Sequence, residues 1–136
     1  VEKECETRTY LQVFPLIDRL DYLSGPAEEH GYAAAVERLM NIDVPERAQV
    51  IRVILLELSR IASHLLWLGT SALELNMSSI YMYCFAEREK ILDLFEELSG
   101  ARMFPNCWRI GGLAYDTTST FETNARQFLK DFPQTW

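Results

Sequence analysis

Cysteine is sparse and badly placed for chemistry: Cys5, Cys84 and Cys107 are odd in number, far apart and without CxxC spacing. That excludes a disulfide framework and a zinc site of ordinary ligand spacing, and a reducing compartment is expected. Clusters of lysine and arginine are also missing, and the net charge is −7. Nucleic acid is therefore set aside as a partner, because its phosphates must be neutralised by basic side chains. Every apolar run is cut by charge well short of the roughly 18 residues a membrane span needs. No GxGxxG, GxxxxGK[ST] or GxSxG occurs, which leaves no dinucleotide fingerprint, phosphate cradle or nucleophile elbow. The two histidines, His30 and His64, fall on different predicted helices with no ligand spacing, so no metal is assigned to the chain.

What is present is a large apolar fraction, 49% of 136 residues, enough for one domain with a real core. The chain is organised around Arg47–Gly69, RAQVIRVILLELSRIASHLLWLG. At 100° per residue Val50, Ile51, Ile54, Leu55, Leu58, Ile61, Ala62, Leu65, Leu66 and Leu68 fill close to half the circumference, the pattern of a helix lying in a core. Pro45 and Glu46 suit its first turn, where a missing N–H is harmless and an acid favours the dipole. Glu57, Arg60 and His64 follow at helical spacing along one edge of that arc.

Around it, residues 1–13 read as a charged helix that Pro15 should interrupt or kink. An irregular piece ends at a Gly25-Pro26 break, and Ala27–Met40 resumes as a helix closing near Asn41. The long helix runs on from Pro45 to about Leu75. Ser78 or Ser79 caps the next helix, Ile80–Ser99, with Gly100 as its C-cap. Residues 101–113, ARMFPNCWRIGGL, suggest an extended segment closing a turn at Gly111-Gly112, and Phe121–Phe132 a last surface helix. The fold class is thus mainly α, one helical domain over residues 1–136. The sequence starts in what reads as mid-helix, without methionine, so an internal fragment of a longer polypeptide is expected.

Two residues stand out as candidates for chemistry. Tyr22, in DRLDYLSG, places a phenol among carboxylates and an arginine beside a chain break, where its hydroxyl can meet a ligand or simply make a structural hydrogen bond. Glu74, in SALELNMSS, is a lone acid at the end of an apolar helix. Desolvation there would raise its pKa and suit it to proton exchange, whereas a solvated helix-end carboxylate would do neither. The Glu57, Arg60 and His64 line fits an interhelical polar clamp as well as a site.

The segments VEKECETRTYLQ, DRLDYLSG, AAAVERLMNIDVPERAQVIRVILLELSRIASHLLWLGT, FAEREKILDLFEELSGARM and WRIGG, in this order and spacing, resemble the family of the D subunit, the quinone-site subunit, of the proton-pumping NADH:quinone oxidoreductase, respiratory complex I. The resemblance runs from residue 1 to about 113. It implies a bundle of long packed helices of the nickel–iron hydrogenase large-subunit type, with an N-terminal β hairpin and a C-terminal part of the subunit outside this chain. Where the hydrogenase relatives keep a cysteine pair, Asp21, Tyr22 and Ser24 stand without thiolate, so a nickel site cannot be built.

By the same resemblance Tyr22 donates a hydrogen bond to a quinone carbonyl, and Glu74 takes the place of an aspartate in a proton-responsive network. Arg52, Arg60, His64 and Arg109 are supporting polar groups near the cavity. Quinone is then a substrate. No cofactor is held by this chain alone, since electrons come from an iron–sulfur cluster in a neighbouring subunit and NADH is oxidised in another. The implied partners are the other peripheral-arm subunits, above all the one carrying the terminal cluster, and the membrane arm; the implied location is peripheral, at the cytoplasmic face of a bacterial inner membrane. A homo-oligomer of the isolated piece is a further expectation.

Three departures mark a divergent branch. Ser71 replaces the family's histidine, Glu74 is one methylene longer than its aspartate, and Phe104 stands where a titratable histidine is frequent. Two other functions stay open: the large subunit of a membrane-bound hydrogenase-like or ferredoxin-linked dehydrogenase, and an assembly subunit without catalysis.

Overall fold

A computed structural model describes residues 1–135 of the chain. Among them the order of elements is α1 (Glu2–Cys5), α2 (Tyr10–Ile17), α3 (Gly25–Met40), α4 (Glu46–Glu74), α5 (Ser78–Ser99), β1 (Trp108–Arg109), β2 (Gly112–Leu113) and α6 (Ser119–Thr135). The molecule is mainly α, with one small antiparallel hairpin in which Trp108 pairs with Leu113 and Arg109 with Gly112.

The first stretch differs from the single charged helix expected over residues 1–13. Helix breaks after Cys5 and restarts at Tyr10, where the Thr9 N–H donates to Gln12 Oε1 at 3.1 Å. Pro15 then lies inside α2 instead of ending it. A proline in a helix interior costs about 3 kcal/mol, while burying an apolar side chain as large as Val13 or Phe14 returns about 1.5–3 kcal/mol each. Both are buried, so packing outweighs the lost donor. Gly25-Pro26 likewise opens α3 where a break was expected, because proline in the first turn has no partner to lose. Asn41, at φ 53°, closes α3 in the left-handed conformation.

Helices α4 and α5 form the spine, packed along one another as a helical hairpin. Their connection is a Schellman-type stop: Asn76 at φ 61° sends its N–H to Leu73 O at 2.9 Å, and the Met77 N–H reaches Ala72 O at 2.9 Å. The chain has therefore already turned before Ser78, and the N-cap of α5 is Met77, not either serine. Gly69 sits where the two helices come close, since a Cβ there would meet the Cys84 Cβ at 3.2 Å. Gly100, at φ 77°, ends α5 as its residue type suggested.

Only part of the α4 apolar arc lies in the core. Ile51, Leu55, Leu58, Ala62 and Leu65 are buried with Cys84, Ile91, Leu92, Phe95 and Leu98 of α5, whereas Val50, Ile54, Leu68 and the neighbouring Trp67 are exposed. One helix partner covers one stripe, and the arc is wider than that stripe. Helix α6 starts where Thr118 Oγ1 accepts from the Phe121 N–H at 3.0 Å, and it packs Phe121, Ala125 and Phe128 into the same core. It is longer at both ends than expected and includes Pro133.

Candidate functional site

The segment from Pro105 to Leu113 is held from behind by charged side chains aimed at its backbone. Glu29 on α3 accepts from the Trp108 N–H at 2.8 Å, and Glu37, two turns further along, accepts from the Gly111 N–H at 2.8 Å. Arg52 on α4 grips Glu37 through both terminal nitrogens, at 3.0 and 2.7 Å, and donates to the carbonyls of Arg109 at 2.9 Å and Gly112 at 2.8 Å. Asp18, at the end of α2, accepts from the Asn106 N–H at 3.1 Å. Asp18 and Glu29 are both 0% exposed.

The electrostatics of the two glutamates diverge. Burial would raise Glu37, but hydrogen bonds from Arg52 and the Gly111 N–H, with the Arg52 charge, hold it below the usual carboxylate range. Glu29 is pushed up to about 9 by burial, then by the hydrogen bond and negative charge of Asp18. Asp18 is raised as well, again first by burial. Asp18 Oδ1 and Glu29 Oε1 are buried with no hydrogen-bond partner among the described residues. One proton carried by Glu29 and donated to Asp18 would satisfy both oxygens, since two adjoining buried carboxyls do not ionise together.

Beside the pair, Cys107 is pushed up to about 12, by burial and then by the two acids, so its thiol stays protonated. His30 is lowered, by burial and then by Arg52, and its Nδ1 accepts from Trp108 Nε1 at 3.3 Å, as a neutral imidazole does.

The residues singled out in the sequence are not all brought together. Tyr22 is 64% exposed on the turn between α2 and α3, and its hydroxyl makes no hydrogen bond among the described residues. The turn is shaped by Asp21, whose Oδ1 accepts from the Leu23 N–H at 2.9 Å. Arg109 lies on the hairpin with its guanidinium 5.9 Å from the Phe14 ring centroid, donating to Asn106 Oδ1 at 3.2 Å and to the Trp108 carbonyl at 2.6 Å. Arg19, three residues before Tyr22, lies 4.9 Å over the Phe104 ring. The turn and the hairpin are thus neighbours.

Glu74 is exposed at the last residue of α4. Arg60 pairs with Glu57 on the exposed face of α4, and His64 is exposed with Trp67 and Phe132 nearby in an apolar groove. Arg52 is 3% exposed and committed to Glu37 and the hairpin. Among the described residues no group of three His, Cys, Asp or Glu side chains is placed to hold a metal ion.

A family model described as "Respiratory-chain NADH dehydrogenase, 49 Kd subunit" matches residues 74–136. The D subunit of the NADH-quinone oxidoreductase of Protochlamydia amoebophila is 74% identical over 136 residues, all of this chain and 34% of that protein. Over its whole length this chain is similar to NADH-quinone oxidoreductase D subunits. The D 2 subunit of Chloroflexus aurantiacus is 52% identical over 98% of this chain and 32% of its own length. The D subunit of Geotalea uraniireducens is 50% identical, covering 98% and 34%. The chain spans about a third of the length of these relatives. The likeness extends through the tail beyond residue 113, where the resemblance in the sequence motifs stops.

Sequence reasoning missed Asp18 and Glu29 as a buried pair. A signal for it existed: Gly25, Glu29, Ala33 and Val36 recur at helical spacing, which sets one acid in the apolar stripe of α3.

Proposed function

We propose that this chain is part of the quinone-site subunit of a complex I type NADH:quinone oxidoreductase, and that Tyr22 donates its hydroxyl hydrogen bond to a carbonyl oxygen of the quinone. The observation that carries this is a phenol without a hydrogen-bond partner among the described residues, exposed on a turn whose shape is imposed by Asp21 and whose base is anchored through Asp18 to the Asn106 N–H. An O–H kept out of internal bonds is available to a substrate. Reducing a quinone by two electrons builds negative charge on its oxygens, and a placed O–H stabilises that charge and can protonate it. The relatives, named as parts of an NADH-quinone oxidoreductase, support the same reading.

The remaining candidates divide by exposure. Glu74 and His64, both exposed, are proposed to exchange protons or contact groups outside this chain, with Arg60 balancing Glu57 beside them. Arg52 and Arg109 would act by shaping the hairpin next to the turn. Electrons would arrive from an iron–sulfur cluster held by a neighbouring peripheral-arm subunit. Among the described residues no helix is long and apolar enough to cross a membrane, in keeping with a peripheral place against a membrane arm.

The test is Tyr22→Phe in the assembled oxidoreductase. Quinone reductase activity is expected to fall on the order of 10²-fold, the usual worth of a positioned proton donor. Activity equal to the parent enzyme would favour the assembly-subunit alternative instead.

A further inference from the structure

We propose that Asp18 and Glu29 work as one proton-sharing carboxyl pair that positions Tyr22, by tying both ends of its turn to the Asn106–Arg109 segment. This rests on the reading of Tyr22 as the quinone donor and adds residues that the reading does not contain.

The geometry is a closed ring of contacts. Asp18 opens the turn, and its Oδ2 accepts from the Asn106 N–H at 3.1 Å. Gly25 ends the turn, and a Cβ built there would lie 2.5 Å from Asp18 Oδ1 and 3.1 Å from the Asp18 carbonyl oxygen. The two ends of the turn therefore touch, with Tyr22 between them. Glu29 is one helical turn beyond Gly25 on the same face of α3, and its Oε2 accepts from the Trp108 N–H at 2.8 Å. The other oxygen of each acid, Asp18 Oδ1 and Glu29 Oε1, is buried without a hydrogen-bond partner among the described residues, and the two side chains lie within reach of one another. The shared proton is thus the element that joins the turn, α3 and the hairpin.

Three further groups face the pair. Arg19 at the base of the turn and Arg109 on the hairpin bring positive charge, and Cys107 beside the pair is a neutral thiol. With one proton present, a single negative charge is offset by these arginines. With none, two carboxylates repel across a site without water access, and the turn separates from the hairpin. Tyr22 then loses its position while every catalytic atom remains in the molecule.

The experiment is a pH profile of quinone reduction in the assembled oxidoreductase, with an infrared search for the buried acid. The parent enzyme is expected to lose activity as pH rises toward about 9. Glu29→Gln, whose amide donates to Asp18 at any pH, should move that alkaline midpoint upward by about one unit or more. Asp18→Ala should lower kcat about tenfold or more, and Asp18→Asn, which can still accept from Asn106, should recover most of it.

Independently of turnover, the parent should show the carbonyl band of a protonated carboxylic acid that Glu29→Gln removes. An unchanged alkaline midpoint in Glu29→Gln, or absence of that band in the parent, overturns the shared proton even where Tyr22→Phe is inactive. Full activity in Tyr22→Phe with the band intact overturns the quinone reading, and with it the purpose assigned to the pair, but not the pair's shared proton.

Discussion

Glu29 and Glu37 lie eight residues apart on the same side of α3, and each accepts a backbone N–H of the same hairpin at 2.8 Å. Their companions differ. Glu37 meets Arg52, whose charge and hydrogen bonds overcome burial and keep it ionised. Glu29 meets Asp18, a second acid, and burial prevails, so a proton stays in the pair. One structural task is done in two charge states. Burial raises both carboxyls, and the companion decides whether that rise is overcome, as at Glu37, or reinforced, as at Glu29.

The largest effect that would test this contrast is at the ionised end. Glu37→Ala leaves the Arg52 guanidinium buried without its carboxylate and frees the Gly111 N–H, and should cost about 3–5 kcal/mol in denaturant unfolding. A loss below about 1 kcal/mol would mean that the Arg109 and Gly112 carbonyls suffice for Arg52 and that the pairing is incidental.

Next comes Gly25→Ala at the proton-sharing end. Its Cβ would collide with Asp18 Oδ1, for an expected loss of about 1–3 kcal/mol. Gly31→Ala on the same helix has nothing within 4 Å and should instead stabilise by up to about 1 kcal/mol, so thermal melts of the two variants should move in opposite directions.

The pH dependence has a definite sign. Glu29 holds its proton more tightly when folded than at its ordinary value of 4.5, so stability falls as pH rises from there toward about 9. Glu37 has the opposite shift, and its contribution is present above 4.5 and lost as pH falls through its lowered folded value. Glu29→Gln should flatten the alkaline slope of unfolding free energy and leave the acid limb alone. A parallel shift of the whole curve would erase the distinction between the two glutamates. Smallest of all is Arg47→Ala, which removes an exposed pair with Asp116 and should leave the midpoint of chemical denaturation nearly unchanged.

Much of the architecture could be read from residue types alone, because local rules and tertiary packing agree there. Pro45 before α4, Asn41 and Gly100 after their helices, and Gly111 at the hairpin turn each sit where their backbone preferences place them. Disagreement arises where packing opposes a local rule. Pro15 stays within α2 because Val13 and Phe14 are buried, and Ser78 is not a cap because Asn76 has already reversed the chain. The exposed part of the α4 arc reads as core in the sequence because periodicity reports which side chains are apolar and not how many partners are there to cover them.

At the site, Tyr22 was legible as a phenol on a chain break, and it is exposed there. Asp18 was not legible, because an acid beside arginine in a polar stretch has the look of a solvated residue. Its burial comes with Asn106, a contact across 88 positions of sequence.

The three thiols have a practical consequence. Cys84 and Cys107 are buried and their pKa values raised, while Cys5 is partly accessible on the short first helix. Near neutral pH an electrophilic dye or spin label will therefore find a single handle, and whatever it reports will concern α1 and its surroundings without disturbing the carboxyl pair beside Cys107.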